Sequence, residues 1–332
     1  MMGRSIESEL ETLGVKFTPV TISRSGINPF SDFRFLVTLI GVLKRDKPDV
    51  VLNFTIKPSI YGSIAAKMVG ISFIASTITG LGYIFTGDTL KSRVLSILIK
   101  LQYRLSLRFN NLVFFQNPDD EELFRFLSLT KQVKTKVING SGVDTRKFVR
   151  HNQHPRENSF IFVGRILRDK GVNEFIQAAR LLKTKYPNAT FTILGPTDDN
   201  PNSLTEQDLE SCISSGVIQY LPAQLDVRTV LDDHEVFVLP SYREGTPRST
   251  LEALSMSMPI VTTDVPGCRE TVMSGSNGYL VEAKNTVSLA EGMERFIVNR
   301  HLVKPFGESS RALVCSKFDV RMVNESIMSE LM

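Results

Sequence analysis

Between Glu244 and Glu252 the chain reads EGTPRSTLE, two carboxylates eight positions apart with a glycine, a proline and three hydroxyl side chains between them. An apolar run, Val236-Phe237-Val238-Leu239-Pro240, precedes the segment, and Ala253-Leu254 and then Pro259-Ile260-Val261-Thr262 follow it. That order reads as strand, tight turn, helix, strand. In this reading Glu244-Gly245 fill the turn, Thr246 is the N-cap and Pro247 takes the first helical position. The free N–H groups of Arg248 and Ser249 then point out of the strand edge together with the positive end of the helix dipole, which makes an anion site. Glu244 can hold a neutral polar ligand from the turn, and Glu252, further down the helix, another part of it. A phosphate beside hydroxylated groups is the chemistry of a sugar nucleotide.

A second cationic element lies upstream, where Phe160–Gly171 reads FIFVGRILRDKG. A strand ends at Gly164, and Arg165 and Lys170 follow across a short polar turn. A guanidinium fork takes two phosphate oxygens and an ammonium adds a compact charge. Alone these are two solvated cations at a helix start. Beside the amides at Arg248 they would neutralise a diphosphate leaving group.

With Ile193–Pro196 (ILGP) and the run SYREGTPRSTLEALSMSMPIVTTDVPGCRETV, these elements resemble a retaining glycosyltransferase of family 4, most densely over residues 160–282. The resemblance implies an α/β chain with the GT-B fold, two Rossmann-like doubly wound parallel-sheet domains facing a cleft, with the donor in the C-terminal one. It implies that Arg165 and Lys170 bind the diphosphate and that Glu244 holds the donor sugar, the three forming the catalytic group. Donor contacts are implied at Gly164, Gly195, Gly245, Thr246, Pro247, Arg248, Ser249, Thr250 and Glu252, the last on the ribose hydroxyls.

Ile22–Phe30 (ISRSGINPF), Asn53–Ser63 (NFTIKPSIYGS) and Thr77–Gly87 (TITGLGYIFTG) resemble a narrower group that builds bacterial surface polysaccharides such as capsule and O-antigen. That group moves a hexose from a nucleotide donor to a polyprenyl-diphosphate-linked saccharide. Many relatives carry a histidine where Thr79 stands, against the donor sugar; this chain does not. Lys57, Thr79 and Gly80 fall at the carboxyl ends of expected strands, where α/β sheets bind ligands, and are the acceptor-side candidates. For Thr79, packing at a strand end is the competing reading. In the front-side picture of retention, the departing nucleoside diphosphate is stabilised by preorganised donors. Cations and amides then carry catalysis, and neither a metal nor another cofactor is expected. A hydrolase would need Glu244 and Glu252 to face each other across a sugar, which two carboxylates on one helix-start unit do not do.

The elements that must hold these groups alternate β-branched runs with helical patterns, as in parallel α/β sheets. Strands are expected near Val15–Ile22, Val50–Phe54, Phe73–Thr79, Leu112–Phe115, Lys136–Ile138, Phe160–Val163, Thr190–Leu194 and Ile218–Leu221. Helices are expected at Phe33–Lys44, Ile60–Val69, Leu90–Phe109, Asp119–Phe126, Val172–Lys185 and Val287–Val298. The polar stretch from Arg150 to Asn158 reads as a linker. The expected division is an acceptor-binding domain over 1–150, a linker over 151–158, a nucleotide-sugar domain over 159–315 and a C-terminal helix over 316–332 that crosses back. A doubly wound domain opens with a buried strand and a glycine-rich turn. Here the first eleven residues read as the later part of a helix ending at Gly14, so the first domain is expected to lack its first strand.

Composition bounds the rest. The net charge of +4 hides an asymmetry: residues 1–150 carry 21 Lys and Arg against 12 Asp and Glu, leaving 18 against 23 in residues 151–332. Within the basic half, Lys91, Arg93, Lys100, Arg104 and Arg108 alternate with apolar residues at helical spacing over 90–109. Such a helix is either an ordinary packing helix with a solvated face or a surface for an anionic membrane. Nucleic acid is not expected, since no aromatic platform or recognised module accompanies the charge. No run of about 18 apolar residues occurs and the N-terminus does not read as a secretory signal. Cys212, Cys268 and Cys315 lack paired spacing, Cys268 reading as a small filler, and the four histidines show no ligand spacing. The acids Asp119-Asp120-Glu121-Glu122 follow Asn117-Pro118 and complement a helix dipole. The whole describes a transferase acting on a UDP-linked sugar and a lipid-linked acceptor, cytoplasmic and peripheral on the inner face of the bacterial cell membrane. The alternatives are a truncated, inactive sugar-nucleotide-binding remnant and a nucleotide-sugar hydrolase or epimerase.

Overall fold

The computed structural model describes residues 10–22, 28–81, 90–198 and 203–332, and structural statements concern these residues. The stretches 23–27 and 82–89, which hold parts of the ISRSGINPF and TITGLGYIFTG motifs, lie outside them, as do residues 1–9.

The first half builds α1 (Pro29–Asp46), β1 (Val50–Phe54), α2 (Ser63–Val69), β2 (Phe73–Ile78), α3 (Leu90–Ser106), β3 (Leu112–Phe115), α4 (Pro118–Phe126) and β4 (Lys134–Val137). Local chemistry sets the ends of these elements. The Asn28 side chain accepts from the N–H groups of Phe30 and Ser31, with Pro29 at the first helical position of α1. The four strands are parallel in the order β1-β2-β3-β4, with Leu52 opposite Ala75, Thr77 opposite Phe114 and Phe114 opposite Lys136. One face packs Ile78, Val113 and Phe115 against Tyr103 and Phe124, and the other packs Ala75, Leu112 and Phe114 with Ile138.

The second half builds β5 (Arg156–Val163), α5 (Val172–Lys185), β6 (Thr190–Leu194), α6 (Glu206–Ser214), β7 (Gln219–Leu221), α7 (Arg228–Asp232), β8 (His234–Leu239), α8 (Arg248–Ser255), β9 (Ile260–Thr263), β10 (Gly278–Val281), α9 (Thr286–Val298), α10 (Val303–Leu313) and α11 (Val320–Leu331). Six parallel strands run in the order β10-β9-β8-β5-β6-β7, so β5 and β8 are central and carry the functional turns at their carboxyl ends. All six residues of β8 are buried, as an all-parallel sheet covered on both faces requires. Helix α11 returns to the first sheet. Ile327 and Leu331 pack on the Leu112–Phe114 face, and Lys134 and Lys136 reach Glu330 at 2.6 and 3.1 Å.

Two expectations about elements are corrected. Residues 15–22 are irregular rather than a strand: among the described residues β1 pairs only with β2, and an extended segment with no ladder partner is not a strand. Residues 156–158, expected in the linker, open β5, because Arg156 N–H donates to the Asp233 carbonyl at 3.0 Å and draws the chain into register beside β8.

Candidate functional site

The site forms where β5, β6 and β8 end. Gly164 follows β5 and Gly195 follows β6. Gly195 has φ +154°, and a Cβ there would overlap the Gly164 carbonyl, so glycine lets the two backbones cross closely. Arg165 leaves this crossing and pairs with Asp198 at 2.9 Å. The turn of residues 168–170 is tied to β8 by Tyr242 N–H donating to the Asp169 carbonyl at 2.9 Å. That tie brings Lys170 to Glu244, with Nζ to Oε1 at 2.5 Å, both side chains mostly shielded.

Glu244 is set from the other side by its N–H, which donates to the Pro266 carbonyl at 3.1 Å. Gly267, with φ +80°, presses so close that a Cβ would overlap the carbonyls of Glu244 and Gly245. Cys268 beside this turn is fully buried, and burial, with the Glu244 charge adding to it, pushes the thiol up to about 12. It fills space and is no nucleophile.

Helix α8 begins at Arg248 with Pro247 as its cap residue, which offers no side-chain cap bond. Thr246 is therefore not the N-cap. Its hydroxyl donates to the Gln116 carbonyl at 2.8 Å, because the first sheet approaches so closely that a Cβ on Gly140 would sit 2.7 Å from Thr246 Cβ. The amides of Arg248 and Ser249 consequently have no acceptor among the described residues, while those of Thr250 and Leu251 bond the Pro247 carbonyl at 3.1 and 3.2 Å. The buried Thr250 hydroxyl is likewise without a partner among them. Arg248 reaches back to Glu252 at 3.1 Å, and burial raises the Glu252 pKa while the guanidinium opposes the rise. Each of Arg165, Lys170 and Arg248 thus faces a carboxylate, so the local positive charge is balanced within the site.

The acceptor-side candidates separate. Gly80 has φ +117° and lies against the Glu244–Gly245 turn, where a Cβ would come 2.8 Å from Gly245 N. The Thr79 carbonyl faces Gly245 so closely that a Cβ on the latter would overlap it. Lys57 is elsewhere: its ammonium pairs with the buried Asp32 at 2.6 Å, and Tyr61 donates to the same carboxylate at 3.1 Å. Sequence reading missed the residues that carry the junction of the two sheets. The Asn117 Nδ2 donates to the carbonyls of Gly245 and Glu244 at 2.9 and 3.3 Å, Arg243 pairs with Asp120, and Arg269 pairs with Asp119 at 2.9 Å. Asp119 and Asp120 do sit in the first turn of α4, as the dipole reading has it, but both also bind arginines across the junction. Complete burial raises the Asp120 pKa against the opposing pull of Arg243. These partners stand more than 120 residues apart, and no local spacing could signal them.

Among the described residues no group of three or more His, Cys, Asp and Glu side chains could hold a metal ion.

Two parallel α/β sheets that meet at their carboxyl ends around a turn rich in cations, amides and carboxylates define a two-domain GT-B transferase. The chain belongs to the group 1 glycosyl transferases: residues 143–313 match that family, and residues 2–117 match the glycosyl transferase 4-like family. It is a glycosyltransferase. A Campylobacter jejuni N,N'-diacetylbacillosaminyl-diphospho-undecaprenol alpha-1,3-N-acetylgalactosaminyltransferase is 30% identical over 89% of this chain and 80% of its own length. An Escherichia coli UDP-Gal:alpha-D-GlcNAc-diphosphoundecaprenol alpha-1,3-galactosyltransferase is 26% identical over 92% of this chain and 80% of its own. The fold matches that of Anabaena Alr3699/HepE, crystallised with UDP, at a TM-score of 0.76 and 17% identity over 98% of this chain and 89% of that one.

Proposed function

We propose that this glycosyltransferase moves a hexose, with retention, from a UDP-linked donor to a polyprenyl-diphosphate-linked saccharide in bacterial surface-polysaccharide synthesis. The observation that carries the proposal is the Lys170–Glu244 pair, whose glutamate stands four residues before Arg248, where the Arg248 and Ser249 amides have no acceptor among the described residues. The acceptor class is supported by relatives whose names specify diphospho-undecaprenol sugars, and the nucleotide by the UDP in the matching crystal structure.

On this reading the donor diphosphate takes Arg165, Lys170 and the α8 amides, each cation exchanging a carboxylate for a phosphate. The freed Glu244 accepts from donor-sugar hydroxyls, and Glu252 from the ribose. Charge developing on the leaving diphosphate then meets fixed donors that need no reorganisation, and these cations make a metal dispensable. The acceptor hydroxyl attacks from the face the diphosphate leaves, its proton passing to the departing phosphate oxygen.

The lipid-linked acceptor calls for a membrane surface. No helix among the described residues is long and apolar enough to cross one. Helix α3 exposes Val94, Ile97, Leu101 and Leu105 beside Lys100, Arg104 and Arg108, and α1 exposes Phe30 and Phe33. Apolar side chains bordered by cations suit the headgroup region of an anionic leaflet, which supports the reading of an enzyme peripheral on the inner face.

The deciding experiment incubates the chain, in chelator, with a panel of UDP-sugars and a polyprenyl-diphosphate-linked acceptor, and determines the anomeric configuration of the product by NMR. Transfer with retained configuration is expected. Absence of transfer from every donor, or an inverted product, overturns the reading.

A further inference from the structure

Asn117 does two jobs with one side chain. Its Oδ1 accepts the Asp120 N–H at 2.8 Å and so caps α4. Its Nδ2 donates to the Gly245 and Glu244 carbonyls, at 2.9 and 3.3 Å, and also to Asp120 Oδ2 on its own helix at 3.1 Å. Those carbonyls belong to the turn that carries the Lys170-paired carboxylate, and Asn117 belongs to the opposite sheet. The side chain is wholly buried, and the Gln116 Oε1 would lie 2.6 Å from a Cβ on Gly245, which leaves little room for water to replace it. Buried carbonyls left without a donor are costly, so the turn and the first sheet hold each other. The pairs Arg243–Asp120 and Arg269–Asp119 flank this contact and add attraction, but neither touches the turn carbonyls.

We infer that Asn117 is a positioning residue through which the first sheet fixes the Glu244–Gly245 turn when the two halves are closed, so that closure and the transfer step are coupled. The coupling rests on the reading of this turn as the donor site. When the halves part, Asn117 releases both carbonyls to solvent and the turn loses its clamp. Donor binding to the second half alone does not use Asn117; the reactive arrangement does.

Asn117→Ser tests this, because serine also caps a helix but its short hydroxyl does not reach the carbonyls across the junction. Single-molecule FRET between Lys67→Cys and Thr184→Cys, in a Cys315→Ser background of the full chain, reads the separation of the halves. Calorimetry with UDP reads binding, and transfer from the best donor of the panel reads kcat. The expected result is a shift toward longer separations and a kcat lower by about tenfold, the weight of one buried hydrogen bond, with the Kd for UDP changed by less than about twofold. Asn117→Asp, which keeps the cap but sets a carboxylate against the turn carbonyls and against Asp120 Oδ2, should shift the separation further. Unchanged separation with unchanged kcat overturns the inference. So does a loss of UDP affinity that matches the loss of kcat at unchanged separation, since Asn117 would then act without closure. If the parent chain transfers no sugar, the donor-site reading falls, while the FRET distributions still decide whether Asn117 holds the halves together.

Discussion

The two sheets solve the same packing problem with different completeness. The six-stranded sheet buries β8 along its whole length and draws its core from helices on both faces. The four-stranded sheet ends at β1, whose burial is interrupted and whose Val50 and Phe54 are exposed. Helices α1 and α3 around it also present phenylalanine, isoleucine and leucine to solvent. The second half also exposes apolar side chains, Leu181, Leu225, Val287 and Val298 among them, but α3 alone exposes five, and that cluster is the surface the proposed membrane contact would use. In the six-stranded half, glycine crossings at Gly195 and Gly267 leave the turns little freedom, which suits the proposed hold on a small polar donor. One half thus reads as a donor clamp and the other as a docking face, and the contrast can be pushed until it fails.

The largest effect is expected at the clamp. Glu244→Ala and Lys170→Ala should each lower transfer by about 100-fold or more, because each removes a preorganised partner of the donor. Lys57→Ala, on the other half, should leave the donor KM alone and lower stability, because it strips the buried Asp32 of its cation. Steady-state kinetics with both substrates varied checks this. Normal rates in either clamp variant, or a donor effect from Lys57, would erase the division of labour.

The docking face gives the next effect. Changing Lys100, Arg104 and Arg108 together to Glu should weaken flotation with anionic vesicles by roughly 100-fold, at about 1 kcal/mol for each basic residue at the surface. Changing Lys284 and Lys304 of the other half to Glu should leave flotation as it was. Equal losses from both sets would make the attraction a property of overall charge.

The smallest effect concerns acid. All four histidines lie in residues 151–332. His234 is buried against β6, with Nε2 2.8 Å from the Thr192 hydroxyl and Nδ1 2.7 Å from the Val230 carbonyl. Burial lowers its pKa from 6.5, and the Val230 carbonyl opposes that. A depressed folded-state pKa means that the unfolded chain binds the proton first as pH falls. The stability is therefore complete above about pH 6.5 and is lost as pH drops through the folded value. Peptide-resolved hydrogen exchange, corrected for intrinsic rates, should show protection falling from pH 7.5 to 5.5 in β6 and β8 but not in β2 and β3. His234→Gln should flatten that fall. Equal loss in both sheets would refute the assignment to His234.

Much of the second half was legible in advance. Helix α5 and strand β6 fall on the residues that periodicity assigns, because both are bounded by local chemistry, Gly171 at positive φ before α5 and Pro187 after it. Helix α10 was not placed: Pro305 and Gly307 argue against a helix, yet Gly307 lies where a Cβ would overlap the Ser257 carbonyl. A packing need overrode propensity there. The irregular course of residues 15–22 is the converse case, where β-branched composition proposes a strand and the sheet offers no partner.

The sequence by itself determined the two-sheet class and which residues stand at the ends of β5, β6 and β8. It could do so because strand-turn-helix units carry their functional groups within a dozen residues of one another, where spacing and local conformation speak for themselves. Only the tertiary structure decided that Thr246 bonds Gln116 instead of capping α8, that Lys170 already faces Glu244, and that Asn117 holds the Glu244–Gly245 turn from the other sheet while Asp120 pairs with the neighbouring Arg243. The contacts of Thr246, Asn117 and Asp120 join groups more than 100 residues apart. Such meetings are set by how the sheets pack, and no pattern along one stretch of chain encodes them.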